Sequence, residues 1–376
     1  MTTNFDDIRP YTDEEIPAAM QRIVKSNFFG LLCTYVYPDR NPADIRQMML
    51  SFRTIRDFQL EVMRCVNEQV IARSITNFTY SGVQQLDPAK QYLFVSNHRD
   101  IMLDACLLQY ILYMNGRETT EITFGANLMS SPLVTDIGKS NKMFRVERGG
   151  TMRDFYLSSR HLSDYIRYVL TQKGQSLWIA QRNGRTKDGL DQTDQGLIKM
   201  FCLSHPSDKI RALSELNIVP VCVSYEWEPC DVLKALELYQ SRQQPYVKKP
   251  GEDLNSILTG IAQRKGRVHF TFCAPLTEDE LRQYDSCTSN EYHRAIATLL
   301  DQRINAAYCL RPNNYIAHDL RYGQQHYLDR YTDAELQTFL QRLERLNEFD
   351  IAEPDILRDI FLGIYSNPVE VCRRKR

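Results

Sequence analysis

The sequence predicts an α/β chain with a mainly parallel central sheet covered by helices on both faces, and a helical extension at each end. Three observations carry this. Over residues 76–310, short apolar runs alternate with amphipathic helical stretches, the pattern of a parallel sheet with crossover helices. Over 1–75 the apolar period is helical throughout. Over 311–376 it becomes helical again. These spans are the expected organisation: helical N-terminal segment, α/β domain, helical C-terminal extension.

The elements follow in order. Ile16, Met20, Ile23, Val24, Phe28, Leu31 and Tyr35 share one helical face over 14–36. Asn41-Pro42 reads as a cap with proline at the first helical position, opening a helix that carries Ile45, Met48, Met49, Phe52, Ile55, Val62, Met63 and Val66. Strands are expected over 77–83, 91–96, 121–126, 143–147, 176–181, 217–225 and 267–273. Helices are expected near 101–114, 151–172, 232–242 and 289–307, the second capped by Thr151 with Asp154 three residues on. Thr332-Asp333-Ala334-Glu335 is a capping box, followed by Leu336, Phe339, Leu340, Leu343 and Leu346 at helical spacing.

Charge and cysteine usage narrow the function classes. With 46 basic and 47 acidic residues, the chain lacks the bulk charge that holds a nucleic-acid binder. Ten scattered cysteines without a C-x-x-C pair predict no zinc site, no disulfide framework and a reducing compartment. The N-terminus is too polar for a signal peptide, and Phe28–Cys33 is too short to span a bilayer. The expected location is cytoplasmic, peripheral on the inner face of a membrane.

Four segments carry the chemistry. In the first, an apolar strand delivers Asn97-His98-Arg99-Asp100, and an apolar helix with Asp104 in its first turn follows. Catalytic groups of open α/β sheets sit at such strand ends. A histidine oriented by a carboxylate can act as general base for a hydroxyl, though a capping role for both residues fits the segment equally. In the second, a short strand through Phe144 and Val146 ends in Arg148-Gly149-Gly150, where an arginine beside open backbone can grip a phosphate. In the third, a buried strand opens into a basic loop holding Arg182, Gly184, Arg185 and Lys187, suited to an anionic headgroup or a coenzyme phosphate. The fourth is Ile218-Val219-Pro220-Val221, an apolar strand expected to wall the site.

In order and spacing, these segments over about residues 80–226 resemble the glycerolipid (glycerol-3-phosphate and lysophosphatidate) acyltransferase family. Asn97-His98 matches the start of the family's N-H-x-x-x-x-D motif, Arg148 its phosphate-contacting arginine, Gly184-Arg185 its third motif and Pro220 its V-P-V strand. Two positions depart from the pattern. Leu103 stands where the family has its aspartate, and Asp104 is one residue further, a rotation of about 100° on a helix. Asp104 is preferred as the partner of His98, since Leu-Asp-Ala-Cys-Leu-Leu matches the family's apolar run, and Asp100 then caps the helix. The third motif's glutamate is replaced by Asn183 or Gln181.

The resemblance implies an acyltransferase in phospholipid or membrane-lipid synthesis that uses no cofactor and no metal. Its donor would be acyl-CoA or acyl-carrier protein, its acceptor a glycerol phosphate or lysolipid, and its working surface a membrane. His98 and Asp104 would be catalytic, while Asn97, Arg148, Gly184, Arg185 and Lys187 would bind substrate. Two other functions share these residues: a non-catalytic module binding a lipid surface or partner, and a hydrolase acting on a thioester. The face from Ile16 to Tyr35 is the expected membrane contact, with packing on the protein's own core as its alternative.

Overall fold

The computed structural model describes residues 4–129, 131–147, 149–242, 244 and 246–373. Seven strands form one sheet: β1 (Ile75–Ser81), β2 (Leu93–Ser96), β3 (Glu121–Gly125), β4 (Met143–Val146), β5 (Leu177–Ala180), β6 (Ile218–Tyr225) and β7 (Gly266–Phe272). Their order is β1-β7-β6-β2-β5-β3-β4. Strands β2 to β6 run parallel, and only β7 against β6 is antiparallel. The mainly parallel sheet is therefore present, each strand end within two residues of its expected position. Pro220 sits in β6 where pairing to β7 ends, so its missing N–H costs no ladder bond there.

Alternation along the strands divides two cores. Leu93, Val95, Leu177 and Ile179 point to one face, under the helices Met152–Arg167, Gln195–Cys202 and Ser289–Ala306. Phe94, Trp178, Val219 and Val221 point to the other, under Arg64–Ser74 and Leu103–Met114. Helix Leu103–Met114 is apolar nearly all round because it is enclosed. Leu107 and Ile111 meet the sheet while Cys106 joins the N-terminal helices. Truncating Leu107 to alanine there would cost about 2–5 kcal/mol.

The N-terminal helices differ from expectation. The single face over 14–36 is two helices, Ile16–Ile23 and Phe29–Val36, because the intervening Ser26 hydroxyl accepts from Phe28 N–H and competes with the helix ladder. Helix Pro42–Ser51 likewise stops early, and Thr54 with Asp57 forms a new capping box at its successor. Ile16, Met20, Ile23 and Phe29 are buried in a core of their own, whereas Phe28 and Leu31 are exposed. Among the described residues no helix is long and apolar enough to cross a membrane.

At the other end, Trp227, Phe339, Phe361 and Tyr365 centre a fourth cluster, which seats the helix Pro354–Arg373 beside the loop after β5. There Asn367 Nδ2 donates to Asp188 O at 2.8 Å. A side chain at Gly189 (φ +80°) would lie 2.1 Å from Ile364 O, so only glycine permits this approach.

Candidate active site

Strand β2 stands at the centre of the sheet. The chain leaves it toward β3 and β4 on one side and later returns to β6 on the other, which opens a crevice at its C-terminal end. His98 follows directly. Its Nδ1 lies 3.0 Å from Asp104 Oδ2, and its ring stands edge-on to Trp178 at 5.9 Å. With Nδ1–H donated to the carboxylate, Nε2 keeps the lone pair a general base needs. Only 11% of the side chain is exposed.

Asp104 is completely buried and accepts from four donors. Besides the His98 ring, these are Arg99 N (2.6 Å), Asp100 N (2.9 Å) and Tyr225 Oη (2.8 Å, to the second oxygen). Such saturation meets the hydrogen-bonding demand of a buried carboxylate. Burial, reinforced by Asp104, pushes the Tyr225 phenol well above its usual range, so it stays a neutral donor. Asp100 takes the other role: its Oδ1 accepts from Met102 N and Leu103 N and starts the helix. The loop between His98 and Leu103 thus absorbs the extra residue, and Asp104 meets the ring.

Beneath the pair lies an ion network that sequence reasoning missed. The guanidinium of Arg99 is wholly buried. It donates to Asp191 (2.7 Å) and Glu228 (3.2 Å), and Lys234 donates to both Glu228 (2.5 Å) and Arg99 O (2.6 Å). Burial alone would lower the Arg99 pKa, but Asp191 and Glu228 hold it well above the usual value. Asp191 also accepts from Asn97 Nδ2 (2.9 Å) and Thr186 Oγ1 (2.9 Å). The loop after β2 is thereby locked to the loop after β5, and Thr186 N–H adds a bond to His98 O at 2.7 Å. The signal was an arginine three residues beyond an apolar strand, a charge that can be buried only with acidic partners.

Two of the residues expected to bind substrate have partners within the protein. Asn97 donates both amide protons, to Asp191 and to Val223 O, and its oxygen accepts from Val223 N; the amide is spent clamping β2 to β6. Lys187 is ion-paired with Glu237 and adds no free cation. Gly184 sits in the loop after β5 at φ +73°, a left-handed turn that favours glycine. Arg185 is nine-tenths buried against Cys230, and its Nη1 has no hydrogen-bond partner among the described residues. Arg148 lies outside the described residues.

The neighbouring thiols are inert. Burial pushes Cys106, beside Asp104, up to about 12, and Cys222 and Cys230 also lie above the usual thiol range. None is a thiolate near neutral pH. A cleft of about 530 Å³ opens at the same end of the sheet but on its other face. Arg182 and Asn183 stand at its polar side, while Val146, Phe155, Leu162, Ile179 and Leu197 make it largely apolar. His98 does not line it.

The arrangement can withdraw a proton from a hydroxyl or from water at Nε2 and present the resulting nucleophile to an electrophile near a buried cation. The acyltransferase family model matches residues 77–224. None of the curated proteins matches the chain in sequence. Among solved structures, the 1-acyl-sn-glycerophosphate (LPA) acyltransferase from Thermotoga maritima aligns at a TM-score of 0.38 and 10% identity, over 78% of this chain and 96% of that one.

Proposed function

From the match of residues 77–224 to the acyltransferase family model, and from motifs that resemble its glycerolipid branch in order, we propose that this chain transfers a fatty acyl group from a thioester to a hydroxyl of a glycerol-phosphate or lysolipid acceptor. The observation that carries the reading is the His98–Asp104 pair, with Asp104 saturated by four donors and Nε2 left free. The acceptor O–H gives its proton to Nε2 as its oxygen attacks the thioester carbonyl; the C–S bond breaks, and the leaving thiolate takes the proton from the imidazolium. Asp104 holds the tautomer and balances the transient charge. No acyl-enzyme is required, in keeping with thiols that stay protonated.

Arg185 supports an anionic substrate. A buried guanidinium with an unpaired N–H favours an incoming phosphate, whether the acceptor's or the donor's. The donor is acyl-CoA or acyl-carrier protein. The substrate-binding role of Arg148 rests on its motif alone.

A lipid acceptor calls for a membrane surface, and the apolar side chains that support one lie at two places. Phe28 and Leu31 remain exposed on the N-terminal helices, and Met152, Phe155 and Leu157 are exposed where helix Met152–Arg167 begins, two of them lining the 530 Å³ cleft. The rest of the expected face from Ile16 to Tyr35 is scaffold.

The test is a purified-protein assay with acyl-CoA and with acyl-carrier protein, each with lysophosphatidate, glycerol phosphate or no acceptor. Acyl transfer that needs acceptor and His98 is the expected result. Thioester cleavage at an equal rate without acceptor identifies a hydrolase, and no turnover with any combination overturns the enzyme reading.

A further inference from the structure

A second cavity lies at the opposite end of the strands, where the chain enters β3 and β4. It is enclosed by the widened helical turn Gln59–Met63, the far end of helix Leu103–Met114 and the segments leading into β3 and β4, and its volume is about 160 Å³. That matches the size of cavities that accept one small organic molecule. Four cations line it, Arg56, Arg64, Arg117 and Lys142, against a single carboxylate, Glu118. Arg56 pairs with Glu118 at the surface at 3.0 Å, and Arg64 pairs with Glu68 at 3.5 Å while its Nε donates to Leu60 O at 3.0 Å. Exposed pairs of this kind exchange readily for a ligand.

Three further features point inward. Asn67 is 97% buried and lines the cavity; its Nδ2 donates to Cys106 O, but its Oδ1 has no partner among the described residues. A buried acceptor left unpaired is costly unless a ligand supplies the donor. Lys142 is held at φ +57°, a conformation uncommon for a side chain of that length, and burial lowers its ammonium pKa. Its Nζ reaches Gln175 Oε1 at 3.1 Å, Thr119 O at 3.3 Å and, more loosely, Glu118 at 3.9 Å, the longest of the three being the one a phosphate would displace. The wall is also a single π-type turn, a distortion common at binding sites.

We infer that this cavity is a binding site for a small phosphate ester bearing a hydroxyl, with the cations holding the phosphate and Asn67 Oδ1 accepting from the hydroxyl. It is separate from the site at His98, which follows the other end of β2. Helix Leu103–Met114 also carries Asp104, so binding rather than turnover is the readout that isolates the site.

Two probes are titrated into the full chain by calorimetry: inorganic phosphate, and glycerol 2-phosphate, which adds hydroxyls. Saturable binding of both is expected, tighter for the ester. Lys142→Gln and Arg64→Gln should each weaken both on the order of tenfold, the loss that removing one hydrogen bond to a charged group brings. Arg185→Gln, in the other site, should leave this binding unchanged. Binding lost in Arg185→Gln but kept in Lys142→Gln and Arg64→Gln would place the anion at the His98 site and overturn the inference, as would no saturable binding in the millimolar range. Should Lys142→Gln fail to fold, the more exposed Arg64→Gln reads the same outcome.

Discussion

In the loop that follows β2, Asn97 and Asp104 have their hydrogen-bonding groups occupied, and Arg99 is fixed between Asp191 and Glu228. In the loop that follows β5, Asn183 is exposed, Arg182 is half-buried, and Arg185 keeps a nitrogen without a partner. The two loops are tied together through Asp191. A general base works only if its ring orientation is set before substrate arrives, so the first loop uses its polar groups on itself. Recognition of an anion requires a donor not already taken, so the second leaves one open. Where polar groups are saturated, substitutions should act on the chemical step or on stability. Where they are unsaturated, they should act on binding.

The largest effect tests the saturated side. His98→Ala removes the base but little packing, and acyl transfer should fall by on the order of 10²–10⁴ while the circular dichroism melt stays near wild type. Near wild-type turnover would remove His98 from the chemistry. Next comes Arg99→Gln, which strands Asp191 and part of Glu228 as buried charges. Urea denaturation should show a loss of about 3–5 kcal/mol. A loss below about 1 kcal/mol would mean that the two loops are not locked through this guanidinium.

How much of this was legible follows from the range of each interaction. The strands could be read because buried parallel strands are continuous apolar runs, as in Leu93-Phe94-Val95 and Leu177-Trp178-Ile179. The His98–Asp104 pair could be read because both partners lie within one strand-to-helix connection. Arg99 could not be paired from sequence, since Asp191 and Glu228 lie 92 and 129 residues away. For the same reason Lys187 resembled a free cation until Glu237, 50 residues on, neutralised it. Helices such as Gln195–Cys202 and Lys209–Ser214 span too few turns to show a period. The break at Ser26 is a local side-chain competition that a shared apolar face conceals.

On the unsaturated side, Arg185→Gln should cost less stability than Arg99→Gln, because it removes no ion pair, only a contact with the neutral Cys230 thiol and a nitrogen, Nη1, that has no partner among the described residues. The apparent KM for a phosphate-bearing substrate should rise on the order of tenfold with kcat nearly constant. If Arg185→Gln instead melts as early as Arg99→Gln with KM unchanged, the contrast between the loops fails, and Arg185 is a structural cation.

The smallest effect gives the finest division within the saturated loop. Tyr225→Phe deletes one of four donors to Asp104 and nothing else, since the ring keeps its place in the second core. The carboxylate retains His98, Arg99 N and Asp100 N, all on its other oxygen, so its orientation toward the ring survives. A hydrogen bond to a carboxylate is worth about 1.5–3 kcal/mol, and denaturant unfolding should register that loss. The freed oxygen lets the carboxylate rock about its remaining contacts, so kcat should fall several-fold or less with KM unchanged. Steady-state kinetics on an acceptor with saturating donor separates the outcomes. A collapse in kcat as deep as that of His98→Ala would make the phenol part of the chemistry itself, and the claim that the backbone of the loop holds Asp104 would then be wrong.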